Sequence, residues 1–334
     1  MGKLHVWIGV LLSGIAAAVA AGTLPDVIKA WLGQDRWLLT SLCVGSAGLF
    51  MVVNLLQQRR KGVGIVVELE REDRPYPWNE QWAFAAIDHA RRNYDSCFMV
   101  RRRIPEVPDQ EEGWRSRKEA LELANELIAV RLTEIPVGEP TTPVALYLGT
   151  VLPDAFELGG MLKFNVHRGM TVMQRSESGK NDFFPAIQIS GRLKEELSGK
   201  DAVKAEALVR VVNEPEFTAA VDGDAVAIVV HLSNNPRMVE QSLQAARKGC
   251  ADIRGRVARC RAALVLDGGP ANIPENRADF ELVVRRVYSA WREWAANHPQ
   301  YAELQPRLFL AAPASIGFAL GWLFGHTVTI VPHH

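Results

Sequence analysis

The chain has 334 residues, enough for a large core and more than one average domain. Its 38 basic and 38 acidic residues balance, which excludes a general nucleic-acid coat and so a DNA or RNA duplex as partner. Cys43, Cys97, Cys250 and Cys260 form no C-x-x-C pair, so reduced thiols are expected rather than a zinc site or a disulfide framework.

Residues 6–24 and 37–56 contain no charged side chain. Each run is about 20 residues long, enough to cross a hydrocarbon core of about 30 Å as a helix. PDVIKAWLGQDR lies between them, so residues 1–60 read as a two-transmembrane helical hairpin, with Trp31 and Trp37 as interfacial anchors. Lys3 precedes the first span, and Arg59, Arg60 and Lys61 follow the second. This bias puts both termini and the C-terminal domain in the cytoplasm. The alternative is a signal peptide cleaved after Ala18-Val19-Ala20, and Arg59-Arg60-Lys61 would still hold the domain inside. Gly14, Ala18 and Gly22 form a small-residue face, which packs either the two spans together or neighbouring protomers.

After Lys61 the pattern changes. GIVVELE reads as a buried parallel strand, residues 78–94 as a helix, and CFMV as a second strand. Ser116-Arg117-Lys118-Glu119 is a capping box, which predicts a helix from there to about Leu132. VALYLGT is a strand, and a helix follows over residues 155–162. AVAIVVHL then begins a similar series: a helix over 238–259, the strand AALVLD, and an apolar helical stripe from Phe280 to Ala295, which reads as core. RLFLAAP, a helix from Ser315 and HTVTIVP complete it. Strands alternating with helices predict an α/β fold with mostly parallel sheets.

The similarity of the two series is a repeat. LYLGTVLPDAFELGGMLKFNV and LFLAAPASIGFALGWLFGHTV align without a gap at an offset of 162, from Leu146 to Leu308. Identities include Phe156/Phe318, Leu158/Leu320, Gly159/Gly321 and Val166/Val328. GIVVEL reappears as AIVVHL at an offset of 163, from Gly64 to Ala227. Two segments with nearly one offset indicate a duplicated unit. The region 61–334 therefore divides into halves of about 61–222 and 223–334.

In open parallel sheets ligands sit beyond the carboxyl ends of the strands. The repeat predicts paired loops there: 70–74 with 233–237, and 149–155 with 311–317. The candidate ligand-binding residues follow. Arg71 and Arg74 pair with ligand phosphates or form a solvated loop, and Tyr76, with Trp78, stacks a base or packs under the loop. Ser233, Asn234 and Asn235 bind phosphate or base edges, or serve turn chemistry. Thr150, Pro153, Phe156, Pro313 and Ser315 lie on the second pair of loops; Asp154 and Ser315 also read as helix caps. Gly149, Ala311, Ala312 and Ala314 leave room for a ligand. Arg101-Arg102-Arg103 reads as a solvated face. RSESGKNDFF, residues 175–184, covers the pocket or meets a neighbouring protomer. Metalloprotease, P-loop and nucleophile-elbow motifs are missing, and no catalytic residue, metal or cofactor is assigned.

The strand, Pro-containing turn and L-G helix of LFLAAPASIGFALGWLF, followed by TVTIV, resemble the SAVED domain. That family fuses two CARF-like Rossmann halves and senses cyclic oligonucleotides in bacterial CBASS antiphage systems. The two apolar runs match its two-transmembrane effector architecture. The resemblance implies a cyclic oligonucleotide ligand, a trinucleotide first among them, held between the halves. It implies a homo-oligomer on ligand binding, disruption of the lipid bilayer in abortive antiphage defence, and a functional partner of the cGAS/DncV-like nucleotidyltransferase family. Expected alternatives are a membrane-anchored enzyme that cleaves the cyclic oligonucleotide, a CRISPR type III-associated cyclic oligoadenylate sensor, and a scaffold binding a linear nucleotide or protein tail.

Overall fold

The computed structural model describes residue 41 and residues 44–50, 62–71, 79–104, 110–133, 143–162, 169–177, 182–217, 223–233, 235, 237–269 and 272–332. Residues 44–50 are helical; the remainder of both expected membrane spans lies outside the described residues, apart from residue 41. Among the described residues no helix is long and apolar enough to cross a membrane.

The first repeat runs β1 (Val63–Arg71), α1 (Asn79–Asn93), β2 (Ser96–Ile104), α2 (Gln110–Thr133), β3 (Val144–Gly149) and α3 (Leu152–Leu162). The antiparallel pair β4 (Met170–Arg175) and β5 (Phe183–Gln188) follows, then α4 (Gly199–Leu208) and β6 (Arg210–Asn213). The second repeat runs β7 (Ala225–His231), α5 (Met238–Lys248), the ribbon of β8 (Cys250–Ala251) and β9 (Val257–Ala258), and β10 (Cys260–Asp267). It ends with α6 (Arg277–Asn297), β11 (Gln305–Ala311), α7 (Ala314–Phe324) and β12 (Thr329–Val331).

Strand pairing gives the duplication a spatial form. One sheet has the order β2-β1-β3-β4-β5 and the other β12-β11-β7-β10-β6. Ile65 stands opposite Phe98 and Leu146, and its counterpart Ile228 stands opposite Leu264 and Leu308. Val172 then faces Leu146 as Ile330 faces Leu308. Four parallel strands, β2-β1-β3-β4, thus match β10-β7-β11-β12. The fifth strand differs: β5 runs antiparallel beside β4, whereas β6 runs antiparallel beside β10. Because β6 completes the second sheet, the two sheets do not divide at residue 222, where the repeat predicts the boundary.

Two expected helix limits move. α2 starts six residues before Ser116, so the capping box lies inside the helix, and Arg117 is buried. α5 stops at Lys248 rather than at residue 259. Gly249 has a φ of 98°, a conformation that ends the helix and suits a residue without Cβ. The chain then turns into the β8–β9 ribbon.

The two sheets share one core. Ile65, Val67 and Leu146 of the first and Val226, Ile228 and Leu308 of the second face the same apolar cluster, which α3 and α7 fill. These helices are the repeated segment, and they meet each other at glycines. A Cβ on Gly321 would lie 2.7 Å from the carbonyl carbon of Phe156. A Cβ on Gly159 would lie 2.9 Å from the carbonyl carbon of Phe318. Each glycine therefore touches the backbone beside the other's equivalent phenylalanine, and the contact is reciprocal. Glycine inside a helix costs about 0.5–1 kcal/mol relative to alanine, which close backbone packing offsets here.

A buried ionic chain also joins the repeats. Arg117 of α2 pairs with fully buried Asp154 of α3. Glu157, one turn on, lies 4.0 Å from Arg254 at the turn of the β8–β9 ribbon, whose guanidinium sits 5.8 Å from the Trp114 ring. Asp252 accepts from the amides of Arg254 (2.8 Å) and Arg256 (3.0 Å) and lies 3.8 Å from buried Arg307. Burial pushes the Glu157 carboxyl up, with Arg254 and Arg117 partly opposing.

Two outcomes are expected. Gly321→Ala should cost about 1–3 kcal/mol or more, because the new methyl meets backbone that no rotamer change can move. Gly191→Ala, where nothing lies within 4 Å of the methyl, should stay within about 0.5 kcal/mol of the parent. Denaturant unfolding of the full chain measures both, and equal stabilities would contradict the crossing. Glu157 binds its proton more tightly folded than unfolded, so its contribution to stability falls as pH rises through its raised titration range. Glu157→Gln should therefore gain stability relative to the parent at pH 7 and lose that advantage at pH 4. The same unfolding measured at both pH values checks it; a variant that falls behind only at pH 7 contradicts it.

Candidate functional site

Three neighbouring parallel strands of the second sheet, β10, β7 and β11, end at one crevice. Leu232 follows β7, Asn272 and Ile273 lie beyond β10, and Pro313 follows β11; together they border a cavity of about 380 Å³. The opposite wall belongs to the first repeat: Gln174 and Arg175 end β4, Glu177 follows, and Phe184 lies in β5. Phe184 meets Phe280 of α6 edge-on, with ring centroids 5.3 Å apart. Such a crevice, outside the carboxyl ends of strands, is where open α/β sheets bind ligands. A cavity of about 470 Å³ beside α4 and α6 lies away from these strand ends, and Arg286 on its wall is paired with Glu206. A groove along α5 is lined by that helix alone.

Hydrogen bonds strap the two walls together. Ser315 Oγ donates to Gln174 Oε1 at 2.9 Å. The Ser176 hydroxyl and the Glu177 amide both donate to the Glu275 carboxylate, the latter at 2.6 Å. Asn272 Nδ2 donates to Glu177 Oε2 at 3.0 Å. The start of the segment 175–184 thus crosses from the first repeat to the loop before α6. Residues 178–181 lie outside the described residues.

The predicted residues fall into three groups. Pro313 lines the cavity, Ser315 bonds its wall, and half-buried Ser233 adjoins Leu232. Asn235 is exposed; its amide donates to Ser233 Oγ at 3.5 Å, and its Oδ1 accepts from the Arg237 amide at 3.2 Å. That is turn chemistry. Thr150 and Pro153 are half-buried at the start of α3 and do not line this cavity. Phe156 is 1 % exposed and packs in the core. Arg71 ends β1, opposite Ile104 in the register. Arg74, Tyr76, Trp78 and Asn234 lie outside the described residues.

Several readings change. Asp154 pairs with Arg117 and Ser315 bonds Gln174, so neither side chain caps a helix. The space that Gly149 leaves is taken by Trp82: a Cβ there would lie 2.7 Å from the indole Cε3. Arg101 and Arg103 are exposed, in keeping with a solvated face, and also lie 3.0 Å and 3.4 Å from Glu68 and Glu70, across β1 and β2. His231, the counterpart of Glu68, has a hydrogen-bond partner at the same register, with Nδ1 2.9 Å from Asp267 Oδ1. Burial opposes ionisation of Asp267, but the Gly269 amide and His231 together hold its carboxyl below the ordinary value. Arg175, Glu177 and Phe184 belong to the segment 175–184 that was expected to cover the pocket, whereas Gln174, Asn272 and Glu275 were missed. The signal for the last two was the turn-rich DGGPANIPEN after a buried strand.

No protein-family model matches the chain. No curated protein matches it. Solved structures similar to it include the Acinetobacter baumannii Cap4 SAVED/CARF-domain containing receptor with the cyclic trinucleotide 3'3'3'-cAAA, at a TM-score of 0.40 and 11 % identity. The same receptor with 2'3'3'-cAAA gives a TM-score of 0.41 at 11 % identity. Each match covers 92 % of this chain and 58 % of the receptor, so the chain spans well under two thirds of the receptor's length.

Proposed function

We propose that the chain is a membrane-anchored receptor-effector that binds a cyclic oligonucleotide, a trinucleotide first among candidates, between its two repeats. Ligand binding drives homo-oligomerisation, and the gathered hairpins breach the bacterial inner membrane in abortive antiphage defence. A cGAS/DncV-like nucleotidyltransferase supplies the ligand. The observation that carries the reading is the cavity at the carboxyl ends of β10, β7 and β11, walled on its far side by β4 and β5 of the other repeat. A pocket built from related halves suits a ligand with internal repetition. The resemblance of LFLAAPASIGFALGWLF to the SAVED domain supports the ligand class. The uncharged runs 6–24 and 37–56, with Arg59, Arg60 and Lys61 after them, support the anchor and the cytoplasmic sensor.

Calorimetry of the full chain in detergent against cyclic di-, tri- and tetranucleotides tests the ligand class. Arg175, on the cavity wall, should matter most: Arg175→Ala is expected to weaken binding about ten- to a hundred-fold. Unchanged affinity would move the site elsewhere, and linear products after incubation would favour an enzyme. Only seven residues, QQRRKGV, separate the second apolar run from GIVVEL, so sensor motions reach the hairpin. Replacing both Gly14 and Ala18 with Leu, or inserting a long Gly/Ser linker after Arg60, should leave ligand binding intact and reduce ligand-dependent dye leakage from liposomes. Leakage equal to the parent's would make the hairpin an anchor alone.

A further inference from the structure

At about 380 Å³ the cavity is near the lower end of ligand pockets, about 300–1,000 Å³, so a ring of three nucleotides would extend past it over the ends of β10, β7 and β11. His231 sits at that edge. It is the last residue of β7, and it is only 7 % exposed. Its neighbours in register are Asp267 on β10 and Ala311 on β11. Strand alternation puts it on the face of Ala227 and Val229, away from the shared core. Those residues share an apolar cluster with Met238, the first residue of α5.

Asp267 fixes the state of this histidine. Its Oδ1 accepts from the Gly269 amide at 3.0 Å and lies 2.9 Å from His231 Nδ1. The carboxyl is held below its ordinary value, so it is ionised and only accepts hydrogen bonds. The proton between the two groups therefore sits on Nδ1. That leaves Nε2 as a bare lone pair at the far end of the ring, pointing away from the strand. It is buried, and it has no hydrogen-bond partner among the described residues. Buried polar atoms are nearly always paired, so this one marks a place kept for a donor. We infer that His231 is a second point of ligand contact, where Nε2 accepts a hydrogen bond from a ribose hydroxyl or a base amino group of the bound ring. The inference rests on the cyclic-oligonucleotide reading and deepens it. A phosphodiester cannot fill the role, because it has no proton to donate. The donor reaches Nε2 once the turn from β7 into α5 yields. Asn235 and Arg237 in that turn are exposed, and the Asn235 amide reaches Ser233 Oγ only at 3.5 Å.

The test uses the full chain in detergent and three cyclic trinucleotides. One has three adenosines, one has three 2′-deoxyadenosines, and one has three purine ribosides, which lack the base amino group. Calorimetry on the parent should show the ring without the donor binding about three- to ten-fold more weakly than the adenosine ring, and the weaker ring identifies the donating group. In His231→Asn the amide nitrogen takes the place of Nδ1 and keeps the bond to Asp267, but nothing replaces Nε2. The preference should vanish there. His231→Gln places an amide oxygen near Nε2 and should recover part of it. Denaturant unfolding shows whether each variant is folded. Nitrogen NMR of the parent needs no variant: the Nε2 resonance of His231 should move on binding the adenosine ring. Equal parent affinities for all three rings, a preference that survives in His231→Asn, or an unmoved Nε2 resonance would overturn the contact and leave the ligand class standing. A parent chain that binds no cyclic oligonucleotide would overturn the ligand class and this inference with it.

Discussion

Two helices pack backbone against backbone only where neither places a side chain at the crossing. In this protein that condition is met twice, at Gly159 and Gly321, each against the main chain next to the other's equivalent phenylalanine. The consequence is geometric. α3 and α7 begin in the loops that follow β3 and β11, so their crossing sets the distance between the carboxyl ends of the two sheets. With the helices this close, both sheets bury one face in a single core. The wall formed by β4 and β5 then falls within hydrogen-bond reach of the second repeat's loops, as the Ser315–Gln174 bond records. A methyl group at either glycine would push the cavity's two walls apart.

The halves are related but not equal, and they differ in their polar groups. Asp154 has Ile316 as its counterpart, so the buried pair with Arg117 exists in one repeat alone. The ribbon after α5 carries Arg254 into contact range of Glu157 and Trp114 in the other repeat. At the ends of the central strands, Glu68 meets Arg101 while His231 meets Asp267. One scaffold thus holds two different sets of charged groups. A ring whose units are not all alike would meet a different surface on each side.

Much of this was legible in the sequence because parallel strands and their helices carry strong local signals. β1, β3, β7 and β11 are apolar runs buried on both faces, and their repetition marks the duplication without any structure. Gly159 and Gly321 are visible as the shared L-G pair, though not their contact, which depends on how helices distant in sequence cross. The α2 start was hidden because strong helix formers precede Ser116, so the capping box has no boundary to mark. The end of α5 rested on Gly249, a single residue within an otherwise helical pattern. The site was legible in its loops rather than its side chains. Pro313 and Ser315 were found because they follow a repeated strand. Glu177 was found only as part of a polar segment and Glu275 was not found, because β4 and β5 lie outside the aligned repeat and their partner loop is about 95 residues away, the span from Asn272 back to Glu177.

The central claim is that one ligand is held by both repeats at once. Hydrogen–deuterium exchange on the full chain, with and without a bound cyclic trinucleotide, tests it directly. The account predicts slowed exchange in residues 173–185 of the first repeat together with residues 268–276 and 311–315 of the second. Protection confined to one repeat, or lying on α5 or beside α4 with these segments unchanged, would contradict it.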